Sequence, residues 1–168
     1  MKKIFFLVLL ASLFSFDNAK KKANSIKEKL KEEVKNQIDN IAPKFDHKEA
    51  DTKINKKRFE EFIKIKITPD IKNIYCYADI MGPDSDFTFS FNCNKSTSEK
   101  IIKKHSLILD SLNQSIGSTG IQHNLSWWNI KHIQSLKKYT FSTPNKQLFK
   151  YYWFDVNKEK AYYFEFDL

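Results

Sequence analysis

The sequence predicts an α+β fold: a small, mostly antiparallel sheet of about five strands, helices on one face, and a helical arm ahead of it. Three observations predict it. Apolar side chains recur at steps of three or four through residues 20–62. From Ile63 the period falls to two, and two alternating stretches flank a turn-rich connection. The last twenty residues read as one further hairpin, so sequential strands lie side by side and antiparallel.

Ahead of these elements, Lys2 and Lys3 precede an apolar block, Ile4–Phe16, of 13 residues. As a helix it reaches roughly 20 Å, short of a hydrocarbon core of about 30 Å. That layout predicts a secretory signal over residues 1–19, with an uncleaved membrane tether as the alternative. Asp17 and the lysines at 20–22 fit a cleavage site poorly, which keeps the tether open.

Residues 20–66 form the predicted basic arm and residues 67–168 the predicted core domain. The arm holds 15 basic and 9 acidic side chains, the core 12 and 10. The net charge of +9 therefore sits mainly in the arm. Arg58 is the one arginine among 29 basic residues. Specific nucleic-acid recognition favours the planar arginine fork, so no specific nucleic-acid partner is expected. A weak attraction to anionic membrane surfaces is compatible with the lysines.

Within the arm, Ile26, Leu30, Val34, Ile38 and Ile41 make a narrow stripe, with Ser25 and Glu28 at capping-box spacing. Pro43 ends that helix. A second helix is expected over His47–Phe62, burying Ala50, Ile54, Phe59 and Phe62. Ile63, Ile65 and Ile67 then suggest entry into a strand. Strands follow at Ile74–Ile80 and Phe87–Cys93, joined through residues 81–86. Ser96 and Glu99 have capping-box spacing for a helix of about ten residues. A loop over 110–126 leads to Trp127, Trp128 and a short helix, Ile130–Lys138. The terminal hairpin pairs Leu148–Val156 with Lys160–Asp167.

Both hairpins can be registered from their side chains. Pairing Ile80 with Phe89 puts Cys76 opposite Cys93, with Ala78, Phe87, Phe89 and Phe91 on the same face. Two cysteines so placed in an exported chain predict a Cys76–Cys93 disulfide, contributing about 3 kcal/mol. In the second hairpin a three-residue loop, Asn157–Glu159, puts Phe154 opposite Tyr162. The expected core face is then Tyr152, Phe154, Val156, Tyr162, Phe164 and Phe166.

Three glycines cannot build a phosphate-cradling loop, and H-E-x-x-H, G-x-S-x-G and C-x-x-C are absent. No cofactor or metal is called for. His47, His105, His123 and His132 show no metal-ligand spacing on one helix, and His105 suits the end of a helix. An aromatic platform of Trp127, Trp128, Tyr151, Trp153 and Tyr163, with Asp155 as polar acceptor, is the candidate binding surface, suited to a protein or a glycan; the alternative is that these bulky rings fill the core. The leading expectation is an exported, non-catalytic binding protein. Two alternatives are a small extracytoplasmic hydrolase using His123 or His132 with Asp155, and a membrane-tethered envelope protein.

Overall fold

A computed structural model of the chain describes residues 21–34, 44–81, 84–111 and 124–168. The expected signal over 1–19, the turn at Gly82–Pro83 and His123 lie outside these residues. The chain divides into two compact units, Met1–Lys44 and Phe45–Leu168.

In the first unit, residues 21–34 form helix α1. Lys31 and Glu28 pair on its surface at 2.9 Å. Ile26, Leu30 and Val34 are each about half exposed. Ile38 and Ile41, the rest of the expected stripe, lie outside the described residues. Among the described residues no helix is long and apolar enough to cross a membrane.

The second unit is α+β. Helix α2 (Lys53–Ile63) precedes strands β1 (Lys72–Met81) and β2 (Asp84–Asn92); α3 (Lys95–Lys104) and β3 (Ile108–Leu109) follow. After the loop come α4 (Ile130–Gln134), β4 (Lys138–Ser142), β5 (Leu148–Asp155) and β6 (Lys160–Asp167). All six strands join one antiparallel sheet in the order β1-β2-β6-β5-β4-β3. The C-terminal hairpin thus sits between the first hairpin and the two short strands.

Helix α2 starts later than expected. Thr52 caps it, accepting from the Asn55 N–H at 3.2 Å. Its buried positions are Asn55, Arg58, Phe59 and Ile63, whereas Ile54 is exposed. Asn55 takes a core position because every polar atom of its side chain is used. Its amide donates to the carbonyls of Asp46, Glu49 and Ile74, and Oδ1 accepts from Asp46 N–H and the Cys76 thiol. Lys64, at φ 60°, closes the helix in the left-handed region, so residues 65–67 form no strand. Ile65 and Ile67 still pack on the core. Helix α3 is capped by Asn94 rather than Ser96, with Oδ1 accepting from Thr97 N–H at 2.8 Å.

The first hairpin keeps the predicted faces but not the predicted pairs. Cys76 lies opposite Phe89 and Ile80 opposite Ser85, a shift of four residues. Only two residues separate β1 from β2, where six were allowed. An even shift leaves each side chain on its face. It also removes the cysteine pair: Cys76 and Cys93 are buried free thiols, not a disulfide. Burial pushes both up to about 12.

The terminal hairpin differs by one residue, with the opposite consequence. Trp153 pairs with Tyr162, Phe154 with Ala161 and Asp155 with Lys160. The loop is four residues because the Asp155 carboxylate accepts from the N–H groups of Asn157 and Lys158 and folds the turn there. Glu159 completes it at φ 48°. An odd shift moves one strand's side chains to the other face. The expected core face is therefore divided. Tyr152, Phe154, Ala161 and Tyr163 look one way; Trp153, Tyr162, Phe164 and Phe166 look the other. Val156 stands exposed in the loop.

Each face has its own cover. Phe59 and Ile63 of α2, Ile101 of α3 and Leu107 pack on Ile74, Cys76, Phe89, Phe91, Tyr152 and Tyr163. On the reverse face, Leu125, Trp127, Trp128 and Ile133 of α4 pack on Trp153, Tyr162, Phe164 and Phe166.

Candidate functional site

The expected platform residues form an interlocked layer instead of a surface. Trp127 stacks on Tyr75 with centroids 5.6 Å apart, and its indole N–H donates to the His47 carbonyl at 2.8 Å. Trp128 meets Trp127, Trp153 and Tyr162 edge to face at 5.6–6.2 Å. Tyr151 stacks with Trp153, Phe164 and Phe166 and is only half buried. Trp127 and Trp128 keep 6% and 7% of their surface, and Trp153 keeps 1%. Tyr163 belongs to the other face, against Phe89 and His105. The five rings thus share no single exposed surface: the tryptophans are buried, and the one-residue register change puts Tyr163 on the other face. Two buried polar atoms on this face have no hydrogen-bond partner among the described residues, the Trp128 indole N–H and Oγ of Ser90, which lies opposite Tyr162.

At the end of the layer the structure brings together two residues named for catalysis. His132 lies in α4, whose cap Asn129 accepts from the His132 N–H at 3.0 Å. Its Nε2 is 2.8 Å from Oδ2 of Asp155, the last residue of β5. The imidazole also meets Tyr162 edge to face. Asp155 is buried, which raises its pKa. The Lys158 N–H, His132 and the Asn157 N–H outweigh that and leave it below the usual carboxylate range. The ionised carboxylate accepts from His132 Nε2–H, so a neutral His132 presents Nδ1 as an acceptor. His132 keeps about a quarter of its side chain exposed.

Two further polar clusters escaped the sequence reading. Lys138 of β4 is buried with its ammonium 2.8 Å from Asp110, beside a cleft of about 260 Å³ lined by Leu109, Ser111, Ser135, Leu136 and Lys137. On the helix face, His105 is buried among Lys150, Glu165 and Tyr163. The helix-dipole role expected of His105 needs a charged ring, whereas burial lowers its pKa and keeps it neutral. The available signal was the four-residue step from Ile101 to His105, which puts both on one side of α3. Among the described residues no three His, Cys, Asp or Glu side chains gather to hold a metal ion.

No protein-family model matches the chain, and no curated protein or solved structure matches it.

Proposed function

We propose that the chain is an exported, non-catalytic interaction protein with a protein partner. The observation that carries this reading is where the apolar side chains lie. The flat rings suited to a sugar are packed inside, whereas aliphatic side chains stand outside. Ile108 and Leu109 are 70% and 51% exposed on β3, which has a strand neighbour on one side only among the described residues. Exposed aliphatic residues on a sheet edge suit a polypeptide that adds backbone pairing to side-chain contact. Export rests on the apolar N-terminal block. The test is in-cell crosslinking of the full chain beside an Ile108→Lys, Leu109→Lys variant. Both side chains are exposed, so the variant keeps the melting temperature of the parent, and it loses the crosslinked protein. An unchanged crosslinking pattern rejects the reading.

The 2.8 Å bond between His132 and Asp155 favours one second reading. A carboxylate that holds Nε2 leaves Nδ1 to take a proton from water, as a general base in hydrolysis. That reading requires His132→Gln to abolish turnover of ester or peptide substrates while the fold persists. The interaction reading assigns the pair to holding α4 against the β5–β6 turn.

A further inference from the structure

The titratable cluster under α3 assigns both nitrogens of one imidazole. His105 Nε2 lies 2.9 Å from the carbonyl oxygen of Ile63, the last residue of α2. A carbonyl only accepts, so Nε2 carries the proton. Nδ1 lies 3.3 Å from Nζ of Lys150 on β5. An ammonium only donates, so Nδ1 holds its lone pair, and the ring is neutral. Lys150 also reaches Glu165 Oε2 of β6 at 3.4 Å, and Glu165 accepts the Tyr163 hydroxyl. One ring therefore links the ends of α2 and α3 to the two central strands of the C-terminal hairpin.

We propose that His105 is a proton-operated clamp: neutral, it joins the α2–α3 layer to the sheet; protonated at Nδ1, it opposes the Lys150 ammonium and releases that layer. The groups facing it are Lys150 from β5, Glu165 and Tyr163 from β6, the Ile63 carbonyl from α2, and Lys104 on α3 itself. Burial is the main influence lowering the affinity of His105 for a proton. The Ile63 bond and Glu165 act the other way, while Lys150 and Lys104 reinforce it. A folded pKa below the ordinary 6.5 means that the clamp is whole above pH 6.5 and weakens as pH falls below it. Asp70, held at about 2 by the Thr68 hydroxyl foremost, titrates in a separate window below its ordinary 3.8.

The test follows melting temperature of the full chain between pH about 7.5 and about 5, the range in which histidine titrates. Wild type is expected to lose roughly 3–6 °C across that range. His105→Gln, which still offers an N–H towards Ile63 but cannot titrate, is expected to stay flat. Hydrogen exchange at the acid end is expected to quicken in α2 and α3 before the sheet. Should His105→Gln fail to fold, NMR titration of the wild-type imidazoles decides: His105 has a midpoint below 6.5, and Lys150→Gln raises it. Equal acid slopes in wild type and His105→Gln overturn the clamp. So do exchange that quickens evenly in helices and sheet, and a His105 midpoint at or above 6.5.

Discussion

The two faces of the sheet each bury a hydrophobic layer, by different means. On the helix face, α2 and α3 dock through Phe59, Ile63 and Ile101, and directional bonds from Asn55 and His105 fix where they sit. The aromatic face is closed by residues 124–136, whose one helix has five residues, so ring-to-ring contact must hold it. A helix brings its own backbone bonds and asks for few anchors. A segment with little regular structure needs many interlocking rings and a tether such as His132–Asp155.

Truncating the centre of either layer breaks the comparison where it is strongest. Phe59→Ala and Trp153→Ala, both within 1% of complete burial, should each cost about 3–5 kcal/mol by denaturant unfolding. A much smaller cost for Trp153 would mean that the aromatic layer repacks. Asn55→Ala probes the directional bonds alone. It strands several polar groups, among them the Cys76 thiol and the Asp46 N–H, and should cost about 2–4 kcal/mol. On the aromatic side, His132→Ala should cost about 1–2 kcal/mol, with faster hydrogen exchange limited to residues 124–136. The smallest contrast lies between neighbours. Trp127→Phe loses the bond to His47, whereas Trp128→Phe removes an unsatisfied N–H. Trp128→Phe should therefore be milder by about 1 kcal/mol in paired melts.

Local pattern made much of this fold legible. The α+β class, α2, α3, the two long hairpins and the faces of the first hairpin follow from periodicity and capping residues. Even there the starts moved: Asn94 rather than Ser96 caps α3, and α2 begins after its cap Thr52 rather than at His47. Strand β4 was readable but missed: Tyr139 and Phe141 alternate with Thr140 and Ser142. Hairpin pairs were not readable to the residue. A connection of two residues in place of six cancelled the disulfide, and a loop of four in place of three exchanged Tyr162 for Tyr163 at the core face. For the thiols, whole-protein mass should be identical with and without reductant, and both should alkylate after unfolding.

Of the candidate site, a meeting of His123 or His132 with Asp155 was named from residue types, whereas residue types left the tryptophans open between core and surface. Composition alone settles that the chain carries enough apolar and aromatic side chains to fill a core, because hydrophobic burial depends on how much surface leaves water. Which rings enter which layer is decided in three dimensions. Side-chain parity along a strand is local, but its phase against a neighbour is set by a turn that a single carboxylate, Asp155, can lengthen by one residue.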